Sequence, residues 1–152
     1  MIKLVRTDSN SQDFIALVKF LDADLAEKDG EEHSFYNQFN KIGTIKHVVV
    51  AYENERPRAC GAIKEYGADA MEVKRMYVAP ESRKKGFAIQ ILSELEKWAV
   101  ELGCGKCILE TGKRQPEAIA LYKKTGYSVI SNYGPYVGMS NSVCFEKRLN
   151  KK

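Results

Sequence analysis

The stretch from Met71 to Gly103, MEVKRMYVAPESRKKGFAIQILSELEKWAVELG, constrains the fold of this chain more than any other. Met71 to Val78 is rich in strand-forming residues, and Pro80 stops the strand because proline has no amide to add to a ladder. Nine residues past Pro80 a different period begins. Ile89, Leu92, Leu95, Ala99 and Leu102 recur at spacings of three and four, flanked by Ile91 and Trp98. Gln90, Ser93, Glu94, Glu96 and Lys97 face away, and Gly103 stands where a left-handed stop is favoured. Cys107 to Glu110 (CILE) then reads as a short apolar strand. A strand feeding a helix that feeds a strand commits this region to a sheet with a helix packed on its face.

The rest of the chain extends that sheet on both sides. Ile2 to Arg6 reads as a strand. From Ser11, Phe14, Leu17, Val18, Leu21 and Leu25 have helical spacing, with Asp22, Asp24, Glu27 and Lys28 on the outside and Gly30 as the stop. A weaker helix is predicted from Glu32 to Phe39. His47–Tyr52, Arg58–Tyr66 and Met71–Val78 form a meander, turning at Asn54-Glu55-Arg56-Pro57 and at Gly67-Ala68-Asp69. Pro116 sits at a first helical position and opens a helix to Lys124. Tyr127–Ile130 and Val143–Leu149 close the chain as strands. The expected class is α/β: a mixed, mostly antiparallel sheet with helices on both faces, in one domain spanning residues 1–152.

Composition narrows the functional classes. The 152 residues are 44% hydrophobic and 29% charged, which excludes a disordered chain and allows a real core. No apolar run is long enough to cross a membrane, and the N-terminus lacks a signal-peptide core, so a cytoplasmic location is expected. The net charge of +4 modestly favours anionic ligands, but its basic pairs are scattered (Lys84-Lys85, Lys123-Lys124, Lys147-Arg148) and no nucleic-acid partner is expected. Four cysteines without a secretion signal are expected to be free thiols. Cys104-Gly-Lys-Cys107 follows a helix rather than opening one, and no second ligand pair accompanies it, so neither a redox motif nor a metal site is expected.

The chemistry concentrates in residues 78–88, VAPESRKKGFA. The uncapped amides of a helix start point outward and attract anions. Gly86 and Ala88 let the backbone approach a phosphate closely, and Arg83, Lys84 and Lys85 add charge. The spacing fits neither a Walker A loop nor a dinucleotide fingerprint.

Arg83-x-x-Gly86-x-Ala88, after Val78-Ala79-Pro80, resembles the pyrophosphate-binding signature of the GNAT superfamily of acyl-CoA N-acyltransferases. A second segment, Ala118-Ile119-x-Leu121-Tyr122-x-x-x-Gly126-Tyr127, is similar to another stretch of that family. The resemblance covers roughly residues 45 to 149, and the helical first third fits the family's variable acceptor side. It implies acetyl-CoA as cosubstrate, with no metal, and an amine of a small molecule or peptide as acceptor, acted on by one chain or by a homodimer. The amides of Arg83, Lys84, Lys85, Gly86, Phe87 and Ala88 would hold the pyrophosphate. Met76, Tyr77 and Val78 would pair with the pantetheine arm and polarise the thioester carbonyl. Tyr122 matches the tyrosine placed beside the sulfur as general acid. Gln115 stands where the family often has a coenzyme-contacting Asn. Glu72, eleven residues before Arg83, has the offset of the catalytic glutamate in the histone-acetylating branch.

A base is needed because an amine with pKa near 10.4 is neutral in only about one molecule in 2,500 at pH 7. Glu110, near the end of its strand, is the rival to Glu72, and an ordered water is a third route. Arg75 would point away from Glu72 on a regular strand, where it would bind a substrate carboxylate or pair with a neighbouring acid. Tyr133 and Tyr136, in the loop from Asn132 to Ser142, would wall the acceptor pocket. No cysteine or serine sits in a nucleophile constellation, so direct attack in a ternary complex is expected. The competing class is an acyl-CoA sensor of the same fold that does not turn over.

Overall fold

The computed structural model describes residues 2–29 and 45–149. Among them, seven strands form one sheet and three α-helices cover it. In chain order these are β1 (Ile2–Thr7), α1 (Gln12–Asp29), β2 (His47–Glu53), β3 (Arg56–Tyr66), β4 (Ala70–Val78), α2 (Phe87–Glu101), β5 (Lys106–Gly112), α3 (Pro116–Lys124), β6 (Ser128–Ile130) and β7 (Ser142–Arg148). The sheet order is β1-β2-β3-β4-β5-β7-β6, antiparallel throughout except for β4 beside β5. That is the mixed, mostly antiparallel α/β class read from the sequence. The helix predicted over residues 32–39 lies outside the described residues.

Both faces of the sheet are buried at its centre. In β2, Val49 and Ala51 enter one core with α2, while Val48 and Val50 enter another with α1. This explains the uninterrupted apolar run HVVVAY, since a strand covered on both sides need not alternate. The α1 side is built on Phe14, Leu17, Val18 and Leu21, as the helical spacing predicts. The β2–β3 turn is tighter than the four residues expected. Glu53 pairs with Arg56, and Asn54 and Glu55, at φ 52° and 65°, form a two-residue hairpin of the type that matches strand twist.

The apolar arc of α2 differs from the sequence reading. Phe87, Ile91, Leu92, Leu95 and Ala99 are buried, whereas Ile89 and Leu102 are 40% and 45% exposed. The helix begins at Phe87, so its buried ridge runs in steps of four from that residue, which turns Ile89 and Leu102 off the core. Its stop is as expected, with Gly103 at φ 89°.

Two irregularities in β4 shape the centre of the sheet. Cys60 pairs with Tyr77 and Ala62 with Lys74, so the two residues Arg75 and Met76 oppose the single residue Gly61. This is a β-bulge, with Arg75 in the left-handed region at φ 59°. The bulge reverses the strand's parity. Met71 and Val73 pack on the α2 side before it; Met76 and Val78 do so after it, leaving Tyr77 on the α1 side. The second irregularity is that β4 and β5 pair only over Ala70–Lys106, Met71–Cys107 and Glu72–Ile108. Beyond Glu72 the parallel strands part, and among the described residues no strand lies beside the edge of Val73–Val78 that faces β5.

Candidate active site

The parting of β4 and β5 opens a cavity of about 560 Å³ that runs through the sheet. This is within the range of small-molecule sites. On the α1 side its wall includes Leu21, Leu25, Glu72, Arg75, Glu110 and Tyr136. Toward α2 and α3 it is lined by Gly86, Phe87, Ala88, Gln115 and Tyr122, with Arg83 and Lys84 at the turn that leads into α2. Met76, Tyr77 and Val78 lie between, along the unpaired strand edge. One cavity therefore gathers every predicted site residue except Lys85, which is exposed, and Tyr133, which does not line it.

The loop before α2 has the form an anion needs. Lys84 at φ 65° and Gly86 at φ 89° both take left-handed conformations, which curve the backbone into α2. Gly86 is the helix cap and supplies no side chain to bond the first-turn amides, so those donors remain for a ligand. A Cβ at Gly86 would meet only Gln90 Nε2, at 4.0 Å, so there it is φ that favours glycine. Arg83 has a task the sequence did not show. Its Nε donates to the Val78 carbonyl at 3.0 Å, its Nη2 pairs with Asp24 at 3.3 Å, and its guanidinium lies over Tyr77. It straps the turn to β4 and α1.

The carboxylates border the wedge where the strands part. Glu72 is the last β4 residue paired to β5, opposite Ile108, and Glu110 lies two residues further along β5. Glu72 is 8% exposed. The Tyr133 hydroxyl donates to its Oε2 at 2.6 Å, and Lys74 Nζ lies 3.6 Å from Oε1. Burial, with the charge of Glu72, pushes the Tyr133 phenol well above its ordinary value, so it stays a donor. Tyr133 itself is held edge-on between Tyr66 and Tyr136. The loop from Asn132 to Ser142 thus contributes Tyr136 to the wall and Tyr133 as the group that fixes Glu72.

Tyr122 is buried against Tyr127 and Phe145 on the other side of the sheet. Burial first, and the charge of Glu110 second, raise its pKa above the usual tyrosine value. A coenzyme thiol with pKa near 8.5 is a stronger acid than such a phenol. Tyr122 is therefore suited to donate a hydrogen bond to a departing sulfur rather than to surrender its proton to it.

Arg75 pairs with an acid, one of the two outcomes expected for it, but from a different face than a regular strand would give. The bulge, absent from a regular strand, turns it to the α1 side that Glu72 also occupies. There its Nη2 donates to Asp22 of α1 at 2.5 Å. Asp22, expected on the solvated side of α1, is drawn into that pair. The four cysteines are free thiols, as expected, with Cys60 and Cys107 buried and raised to about 12 by desolvation. Among the described residues no helix is long and apolar enough to cross a membrane.

Among the described residues, the one parallel pair of strands splays beside a helix start capped by glycine. The chain belongs to the acetyltransferase (GNAT) family, whose model matches residues 14–127. It is 38% identical over 95 residues to the IAA acetyltransferase of Azospirillum brasilense, a match covering 59% of this chain and 60% of that protein. An uncharacterized N-acetyltransferase of Schizosaccharomyces pombe is 27% identical over 100 residues, 64% of this chain and 61% of its own length. The chain thus aligns with about three fifths of each of these two curated relatives. Among solved structures, a Klebsiella pneumoniae protein described as an acyl-CoA N-acyltransferase superposes with TM-score 0.82 at 29% identity, covering 99% of both chains. An N-acetyltransferase of Thermoplasma acidophilum in complex with coenzyme A shares the fold, with TM-score 0.72 at 18% identity over 97% of this chain and 99% of that one.

Proposed function

We propose that this protein transfers an acetyl group from acetyl-CoA to a primary amine by direct attack in a ternary complex. The observation that carries the reading is the single cavity through the sheet, with unclaimed helix-start amides at one end and two carboxylates at the other. The residues present fit the cosubstrate. The loop Arg83–Ala88 offers amides and the Lys84 charge to a pyrophosphate, and the unpaired edge of Met76–Val78 offers main-chain groups to an extended pantetheine arm.

Acetyl-CoA supplies the activated carbonyl. Amides of the β4 edge stabilise the charge that develops on the carbonyl oxygen. Glu72, held by Tyr133, takes the amine proton directly or through one water, with Glu110 across the wedge as the second acceptor. Tyr122 donates a hydrogen bond to the sulfur as it leaves. The convergence of these groups on one cavity favours turnover over a sensor that only binds.

Thermal unfolding with and without acetyl-CoA, with ATP as the anion control, tests the site. At 100 times its Kd a ligand adds about 2.7 kcal/mol, which is roughly 5–10 °C for a domain of this size. A saturable rise with acetyl-CoA and none with ATP is expected; no rise with acetyl-CoA refutes the reading.

A further inference from the structure

The acceptor end of the cavity contains a charge that the protein leaves partly unanswered. The Arg75 side chain is only 2% exposed, yet one nitrogen alone is bonded, Nη2 to Asp22. Nε and Nη1 are buried and have no hydrogen-bond partner among the described residues. Nε carries one N–H and Nη1 two, so three of the five guanidinium donors are orphaned. A guanidinium does not shed its charge to relieve this, as a lysine or histidine would. Each unmet donor in a buried site has a cost that an anionic acceptor would remove.

The backbone adds to the point. Arg75 is held at φ 59°, a conformation unfavourable to a non-glycine residue, at the bulge in the strand that borders the cavity. Had the strand been regular, the same side chain would face away from Glu72. The bulge therefore brings one cationic and two anionic groups to a shared wall, with Glu72 three residues before Arg75 and Glu110 across the wedge. Arg83 has its own counter-ion in Asp24, so Asp22 answers Arg75 and not the loop before α2.

We infer that the amine acceptor carries its own carboxylate, which Arg75 binds, so that the substrate class is amino acids and related amino carboxylates. This rests on the acetyltransferase reading above. In that arrangement the planar guanidinium takes the carboxylate through donors now unmet, and the acceptor nitrogen lies toward Glu72 and Glu110. Asp22, itself 44% exposed, keeps the remaining nitrogen and sets the side chain's direction.

The test is a kinetic comparison on the unaltered enzyme: acetylation of free L-amino acids against the corresponding amino acid amides, which keep the amine and lose the charge. At least one free acid is expected to exceed its amide by roughly 10- to 100-fold in kcat/KM, as lost charge-assisted hydrogen bonds imply. Arg75→Gln should bring the two to parity through KM for the acid, and Arg75→Lys should restore part of the difference. If Arg75→Gln fails to fold, the acid–amide comparison alone decides. Amides turned over as well as acids overturn the inference, and so does an enzyme that binds acetyl-CoA but acetylates no member of the acid panel. Failure to bind acetyl-CoA would instead remove the reading beneath it.

Discussion

Gly61→Ala tests whether the bulge and the cavity are one construction. Gly61 is the β3 residue opposite Arg75 and Met76. A Cβ added there would lie 2.5 Å from Met76 Sδ, 2.8 Å from Ile91 Cγ2 and 3.0 Å from Leu95 Cδ1. Carbon contacts are comfortable only at about 3.5–4.0 Å, so three side chains must yield at once. Ile91 and Leu95 are fully buried, and a β-branched isoleucine on a helix has little rotamer freedom. Met76 is the flexible one, and it borders the cavity. Overpacking of this kind costs about 1–3 kcal/mol, partly offset by the 0.4–1 kcal/mol or so gained when alanine replaces glycine in the unfolded chain. A net loss of about 1–2 kcal/mol corresponds to a Tm lower by roughly 2–8 °C. The distinguishing result is in the ligand. Met76 displaced into the cavity should also shrink the stabilisation by acetyl-CoA. Melting curves with and without acetyl-CoA measure both. A Gly61→Ala protein with the parent Tm and an undiminished acetyl-CoA shift would show that β3 and β4 are not packed as described.

Two further outcomes are expected. Tyr122→Phe should lower kcat roughly 10- to 100-fold with little change in KM for acetyl-CoA, the loss appropriate to one charge-assisted hydrogen bond at the leaving sulfur; undiminished turnover would remove Tyr122 from the mechanism. His47, edge-on to Trp98 at 4.8 Å, has its pKa lowered chiefly by desolvation. The unfolded chain therefore binds the proton more readily, and the His47 contribution to stability is present above about pH 6.5 and lost as pH falls below it. His47→Gln should flatten that part of the stability profile between about pH 5 and 7, and an unchanged profile would contradict the assignment.

Much of this architecture was legible in the chain. The order of strands and helices follows from hydrophobic period and from Pro80, Gly103 and Pro116, because those signals act within a few residues. The loop Arg83–Ala88 was legible for the same reason, since a glycine cap before an amphipathic helix is a local arrangement. The buried arc of α2 differs by a fraction of a turn from the stripe its sequence pattern suggests. Apolar residues outnumber the places in its buried ridge, and only the point where the helix starts decides which of Ile89 and Ile91 faces the core.

Local sequence therefore accounts for the set of elements, the sheet class and the position of the glycine-capped loop before α2. The part of the cavity around Glu72 and Arg75 was settled by tertiary contacts instead. Arg75 reaches Asp22, 53 residues away, and Tyr133 reaches Glu72, 61 residues away. Both contacts depend on strand parity and on which elements pack over the wedge. A bulge of one residue inverts that parity, and its placement is set by the partner strand, where Gly61 alone admits Met76 so closely. Pairing between distant segments is the balance of many contacts formed together, so no local pattern announces it.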